Sequence, residues 1–353
     1  MTKCKICGKE SILIAQTLGV CLDCIRGRFE ECLPFIQDAH KKSRIKFGLP
    51  AEPPRSQSGI KCNICINECE IPEGEYGYCG LRKNEDGKLV HLVNKDEGNL
   101  EYYHDPLPTN CVASWICGEK ESYGNKNLAV FYNGCSFNCL YCQNWHYREN
   151  IFHQRRITAQ DLANQVDNRT KCICYFGGDP TPQIEYSINT AKIVLSKRKV
   201  RICWETNGCM NTSYLKQIAE LSLESGGCIK FDLKAYHEEI NIALCGASNK
   251  RTLENFKILA EYDKQRDNPP FLIASTLLVP GYIDVEEVSK ISQFIAELNP
   301  EIPYSLLAFY PCFYFSDLPT TSKSHAEECK DVALKNGLKN VKIGNLHLLG
   351  DAY

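Results

Sequence analysis

The stretch Cys135-Ser136-Phe137-Asn138-Cys139-Leu140-Tyr141-Cys142 decides how this chain is read. Three thiols stand in a C-x3-C-x2-C run. Just upstream, Leu128-Ala129-Val130-Phe131-Tyr132 carries no charge and reads as a buried strand, which Gly134 ends. The thiols therefore lie on a loop leaving the end of a strand, where α/β proteins place their chemistry. Three thiolates can hold three irons of a [4Fe–4S] cube, whose full protein ligand set is four. Nothing next in the chain supplies the fourth, so one iron stays open to a small molecule. A zinc site is the competing reading, but zinc favours four ligands in paired C-x2-C units. A purely electron-carrying cluster is the other alternative.

With 353 residues, 43% of them hydrophobic and 24% charged, the chain can bury a large α/β core plus a smaller appendage. A formal net charge of −2 gives no global attraction to nucleic acid or anionic membrane. No apolar run reaches 18 residues, so no transmembrane helix is expected. The first residues, Met1-Thr2-Lys3-Cys4-Lys5-Ile6-Cys7, lack the apolar core of a signal peptide, and a cytoplasmic location is expected. The 22 cysteines then point to metals rather than disulfides. Cys172, Cys174, Cys203, Cys228 and Cys245 lie in or near apolar runs and are read as core packing.

Residues 1–28 carry Cys4-x2-Cys7 and Cys21-x2-Cys24, thirteen residues apart, the spacing of a zinc ribbon that a metal holds folded. Residues 29–59 read as a helix followed by a linker, with a basic run at His40-Lys41-Lys42-Ser43-Arg44-Ile45-Lys46 and prolines at 50, 53 and 54. Residues 60–126 open with Cys62-x2-Cys65-x3-Cys69-x9-Cys79, a set that can hold zinc or an auxiliary iron–sulfur cluster. A hairpin is expected at 84–93, turning on Asp86-Gly87. Cys111 and Cys117 can cap a cluster or pack beneath one. From residue 127 to 353 apolar runs alternate with amphipathic stretches, the mark of β/α units on a parallel sheet. The expected strands are 127–133, 172–176, 200–205, 228–233, 271–279 and 304–310, then a short run at 341–347. Helix starts are expected at Thr158-x-x-Asp161, Asp284-x-x-Glu287 and Ser324-x-x-Glu327.

Each strand end carries a polar motif. Gly177-Gly178-Asp179 follows the second strand, where the glycines allow a ligand to approach the backbone. Thr206-Asn207-Gly208 follows the third. Asp232 and Lys234 follow the fourth, in i, i+2 register on one side. Val279-Pro280-Gly281 and Tyr310-Pro311-Cys312 follow the fifth and sixth.

These motifs, with the aromatic Tyr141 before the last cysteine, resemble the radical S-adenosylmethionine (radical SAM) superfamily, and within it the pyruvate formate-lyase activating enzymes and related uncharacterised iron–sulfur proteins. The resemblance is strong over about residues 125–315 and looser over 60–82, and residues 1–28 rest on thiol spacing alone. It implies a partial (β/α)6 TIM-like barrel with a small Cys-rich metal-binding N-terminal region. It further implies that Cys135, Cys139 and Cys142 ligate a [4Fe–4S] cluster and that Tyr141, Gly177, Gly178, Asp179, Asn207, Asp232 and Lys234 surround SAM. The open iron would chelate SAM, and reductive cleavage would give a 5′-deoxyadenosyl radical that abstracts hydrogen from a substrate. Asp179 stands where the family has glutamate. Cys312 stands where the activating enzymes often have histidine, and is a candidate catalytic thiol. His146 lies close enough to the loop to tune a cluster or to play a structural part. The implied partners are an electron donor such as ferredoxin or flavodoxin and a protein substrate, by analogy with glycyl-radical activation. The alternatives are a radical SAM enzyme acting on RNA or a small molecule, and a non-catalytic iron–sulfur or zinc protein that transfers electrons or binds partners.

Overall fold

The computed structural model describes residues 1–109, 111–153 and 156–353. Its centre is an eight-stranded sheet in sequential order. The strands are β1 (Leu100–Pro106), β2 (Lys126–Tyr132), β3 (Thr170–Gly177), β4 (Arg201–Thr206), β5 (Ile229–Asp232), β6 (Leu272–Leu278), β7 (Tyr304–Ala308) and β8 (Val341–Gly344). Strands β2 to β8 are parallel, and β1 pairs antiparallel with β2 along its whole length. Parallel neighbours need crossovers, and here helices supply them. α3 (Ala159–Ala163) precedes β3, α4 (Ile184–Leu195) precedes β4, and α5 (Thr212–Ser225) precedes β5. α6 (Glu238–Cys245) and α7 (Lys250–Asp263) precede β6, α8 (Val285–Leu298) precedes β7, and α9 (Lys323–Lys335) precedes β8. The α/β architecture and six β/α units match the expected partial barrel. β8 and β1 form the two edges, so the sheet is open.

Strand alternation divides the interior into two apolar groups. Leu128, Val130, Ile173, Tyr175, Ile202, Trp204 and Phe231 join the main core with the helices. Cys172, Cys174, Cys203, Cys228 and Ile273 belong to a second cluster on the other face, closed by Leu107 and Ala113. In α8, Val288, Ile291 and Ile295 lie on one face at helical spacing and are fully buried.

The capping motifs at Thr158 and Asp284 form as expected, with Thr158 Oγ1 accepting from Asp161 N at 3.0 Å and Asp284 Oδ1 from Glu287 N at 2.9 Å. The last helix starts earlier than expected. Its N-cap is Ser322, which accepts from His325 N at 3.2 Å, so Ser324 lies inside the first turn. The hairpin turns on Asp86-Gly87 and pairs Arg82–Glu85 with Lys88–His91. Both turn residues have positive φ, the type I′ requirement that a two-residue hairpin imposes.

The N-terminal part carries α1 (Leu22–Gly27) and α2 (Phe29–Ile45). The basic run expected in a linker is instead the last turns of α2, and His40, Ser43 and Arg44 are buried. Arg44 stays inside because its guanidinium donates to the Pro50 and Tyr78 carbonyls and lies over the Tyr78 ring. Arg26, at the end of α1, clamps this part to the barrel with two 2.7 Å hydrogen bonds to Asp284. It also lies 3.4 Å from Glu287, which is fully buried and accepts from the Tyr236 and His237 backbone. Arg26→Ala leaves the Glu287 carboxylate short of a counter-charge, and should lower unfolding free energy by about 1–3 kcal/mol in urea titration. An unchanged midpoint would show that the clamp contributes nothing.

Candidate functional site

Two facts of backbone geometry set the thiol loop. Gly134 leaves β2 at φ +144°. Beyond it, Asn138 N and Leu140 N donate to the carbonyls of Cys245 and Leu244, at 2.7 and 3.0 Å. The loop thus supplies donors to carbonyls at the end of α6 that have no partner within the helix. The Asn138 side chain, fully buried, donates to Ser43 Oγ (2.7 Å) and His40 Nδ1 (2.9 Å), and its oxygen accepts from Arg148 (3.2 Å). His40 Nε2 faces the Ile242 and Ala243 carbonyls at 3.1 Å, which sets the neutral tautomer with the proton on Nε2.

Cys135, Cys139 and Cys142 open onto a cavity of about 190 Å³ that Tyr141, Gly177, Gly178, Asp179, Asn207, Asp232 and Lys234 also line. The residues expected to surround SAM therefore meet at one place. Val279-Pro280-Gly281 does not join them: a Cβ on Gly281 would lie 2.1 Å from the Leu13 carbonyl oxygen, so that strand end packs on the N-terminal part. Cys312 and His146 also stand apart. Cys312 lies outside the cavity lining and packs on the loop, its thiol donating to the Tyr141 carbonyl at 3.1 Å. Burial pushes that thiol up to about 12. His146 is exposed and stacks on Trp145.

The cavity wall is a set of interlocked strand ends. Gly178 N donates to Tyr132 O at 3.0 Å and Asp179 N to Gly134 O at 2.9 Å. A Cβ on Gly178 would lie 2.2 Å from the Gly134 oxygen, so contact between the two loops itself demands glycine. The Asp179 carboxylate is turned inward. Oδ1 accepts from Thr181 N at 2.7 Å, and Oδ2 accepts from Asn207 N at 2.7 Å and Thr206 Oγ1 at 3.0 Å. It ties the second strand's loop to the third's. Asn207 Nδ2 reaches Ser136 Oγ at 3.1 Å and Cys135 Sγ at 3.8 Å. Lys234 Nζ lies 2.6 Å from Asp232, whose other oxygen accepts from Ser275 at 2.7 Å. The Tyr141 hydroxyl is buried against Cys245 Sγ at 3.4 Å, so Cys245 is packed as expected, directly behind the loop.

Charge is arranged around the thiols. A hydrogen bond with Cys245 lowers Cys139 to about 7 against the effect of burial, with Lys234 and Arg148 adding to it. Burial raises Cys135 and Cys142. Lys234 is held above the ordinary lysine range: burial opposes its charge, but Asp232 and Cys139 outweigh burial. Arg148, which the motif reading passed over, is 1% exposed beside Cys142 and lies over the Tyr147 and Phe313 rings. Its Nε and Nη1 have no hydrogen-bond partner among the described residues. A buried guanidinium with unmet donors is matched by an anionic group, and a thiolate-bound iron–sulfur cluster is one. The residues present therefore fit that group.

The other thiol sets differ in spacing. Cys4 and Cys24 lie 3.8 Å apart, Cys7 and Cys21 3.7 Å, and all four sulfurs lie within 4.8 Å of one another. Zn–S bonds of about 2.3 Å in a tetrahedron put sulfurs roughly 3.8 Å apart. Among the described residues no other group of three or more potential ligands closes so tightly. Cys62, Cys65, Cys69 and Cys79 sit near the buried Arg82, with Cys69 accepting from Tyr78 N at 3.4 Å and Cys79 from Arg82 at 3.8 Å. Cys65 meets Cys209, whose sulfur is 3.0 Å from Ser136 Oγ in the thiol loop.

Burial holds His40 down to about 4, and the nearby Arg44 and Arg148 also oppose its charge. The unfolded chain takes up this proton near pH 6.5, whereas the folded chain does not until about pH 4. Stability from this residue is therefore complete above pH 6.5 and is lost as pH falls toward 4, by on the order of 3 kcal/mol. Urea midpoints across that window should fall more steeply for the parent than for His40→Gln; parallel curves would refute the assignment.

Residues 129–295 match the family profile of the Radical SAM superfamily. The chain is 26% identical to an uncharacterised protein of Methanocaldococcus jannaschii over 303 residues, covering 81% of each. It is 28% identical to the pyruvate formate-lyase 1-activating enzyme of Escherichia coli over 204 residues, covering 55% of this chain and 78% of that one. A crystal structure of a domain of pyruvate-formate lyase-activating enzyme from Bacteroides vulgatus superposes with a TM-score of 0.42 at 19% identity, covering 50% of this chain and 99% of that one. The profile match begins inside β2 and ends inside α8, so it takes in the thiol loop and the ends of β2 to β6; these residues form a radical SAM domain, and the chain is an enzyme built around it.

Proposed function

We propose that this enzyme abstracts hydrogen from a backbone glycine of a protein substrate, with SAM bound in the cavity beside the thiol loop and a one-electron donor protein as reductant. The observation that carries the reading is the convergence of Cys135, Cys139 and Cys142 with Gly177, Asn207, Asp232 and Lys234 on one cavity. The protein-substrate part rests on the names of the activating-enzyme relatives.

In this reading Cys135, Cys139 and Cys142 hold a [4Fe–4S] cluster. Such a cluster, reduced and with SAM beside it, would supply the one-electron chemistry that generates a 5′-deoxyadenosyl radical for hydrogen abstraction. The chain's own residues bind and shield. Lys234, fixed by Asp232, presents a cation to a carboxylate, and Arg148, in the cavity lining beside Cys142, offsets thiolate charge. Gly177 and Gly178 offer backbone to an ammonium. Asp179, with both oxygens engaged by protein donors, acts by holding the neighbouring loops. Cys4, Cys7, Cys21 and Cys24 hold one structural zinc. The wider spacing of Cys62, Cys65, Cys69 and Cys79 favours an auxiliary iron–sulfur cluster over a single ion.

Protein reconstituted anaerobically with iron and sulfide, then reduced with dithionite, should convert SAM to 5′-deoxyadenosine; Cys139→Ala should fall to background. An intact, reduced cluster that neither cleaves nor binds SAM would overturn the reading. Deuterium should enter the product when protein from cells grown on α-deuterated glycine is added, and product without deuterium would reject the glycyl substrate. Metal analysis should find about one zinc per chain, lost with Cys7→Ser/Cys21→Ser together with several degrees of Tm. Retention of zinc by that variant would disprove the site.

A further inference from the structure

Beneath the thiol loop, on the face of the sheet away from the helices, lies a second cavity of about 320 Å³. It is lined by six thiols: Cys111, Cys117, Cys172, Cys174, Cys203 and Cys228. Strand periodicity brings four of them together from β3, β4 and the residue just before β5, and the segment before β2 adds Cys111 and Cys117. Lys230 stands among them, 1% exposed, with Nζ 2.9 Å from Cys174 Sγ, 3.1 Å from Cys111 Sγ and 3.3 Å from Glu205. Cys203 and Cys228 sulfurs are 3.8 Å apart.

Packing alone does not account for this arrangement. A core of small apolar side chains closes on itself, whereas these thiols border open volume and surround an ammonium. A buried ammonium is costly without anions, and Glu205 is the one carboxylate within ion-pair distance of it among the described residues. Soft thiolate ligands select zinc, copper(I) or iron–sulfur clusters. A lone tetrahedral ion would draw four sulfurs within 4.8 Å, as at the N-terminus, and the thiols here are not gathered so tightly. A cluster spreads its thiolates more widely and carries net negative charge, which an adjacent N–H donor offsets.

We propose that the base of the barrel is an iron–sulfur cluster site. Cys174, Cys203, Cys228 and Cys111 are its ligands, with Lys230 as charge partner. Cys172 already faces Asn127 Oδ1 at 3.3 Å, which leaves it outside the ligand set. Phe176 and Glu205 line both cavities, so one layer of side chains separates this site from the SAM-side cavity.

The test is a metal count on the full chain, reconstituted anaerobically with ferrous iron and sulfide. Cys174→Ser/Cys203→Ser should lose about two to four irons per chain and as many sulfides, while still forming 5′-deoxyadenosine at the parent's level. Cys135→Ala/Cys139→Ala/Cys142→Ala should keep that share, so failure of this site and failure of the SAM-cleaving reading are separable. An unchanged iron count in the serine double variant overturns the proposal, as does retention of zinc in place of iron at these thiols. In the unsubstituted chain, loading with iron and sulfide should protect Cys111 and Cys174 from alkylation at least tenfold. Equal alkylation with and without loading overturns it without recourse to a variant.

Discussion

One buried amide holds the thiol loop in register with the rest of the molecule. Asn138 joins α2 through His40 and Ser43, α6 through its own backbone N–H, and the following turn through Arg148. Each partner is buried, so each hydrogen bond lost would leave a polar group without water to replace it. The loop has no regular secondary structure of its own at the thiols, and its shape is set by what surrounds it. That is why a helix near the N-terminus and another about a hundred residues after the loop both bear on the chemistry.

Buried cations are the second organising feature. Arg148 stands buried beside the thiol loop, Lys230 below the cavity and Arg82 beside the upstream thiols, and Lys234 is half-buried in the cavity itself. A protein interior does not hold this much positive charge unless anions are close. Carboxylates account for part of it, at Asp232 and Glu205. Cysteine sulfurs face Arg82, Arg148 and Lys230, and sulfurs so placed are suited to metals. The cations and the sulfurs explain one another.

The sheet, its parallel order and most helix starts were legible because they follow from local pattern. β2 and β6 are predominantly apolar and carry no charge beyond Lys126 at the start of β2, and Thr158 and Asp284 cap helices through atoms three residues away. The first half of the site was legible for a related reason: the motifs stand at strand ends, and a parallel sheet brings successive strand ends to one edge. Less local features were not. The basic run at 40–46 has the composition of a solvated linker, but Arg44 is carried inside by two distant carbonyls and a tyrosine ring. Cys312 stood at a strand end by sequence and was turned against the loop backbone by the Tyr141 carbonyl.

By itself the sequence determined the radical SAM family resemblance, the β/α order and which thiols stand on the loop after the first parallel strand, since spacing along the chain decides which ligands a short loop can offer and which residues share a strand face. Only the tertiary structure decided what those thiols meet. Cys172, Cys174, Cys203 and Cys228 read as core because each sits in or near an apolar run, and nothing local shows that their strands turn them all into one cavity that also holds an ammonium. Asp179 read as a ligand-side carboxylate, and its oxygens were claimed by donors on two loops. Such outcomes depend on contacts between residues far apart in the chain, where burial leaves each polar atom only the partners that packing brings within reach.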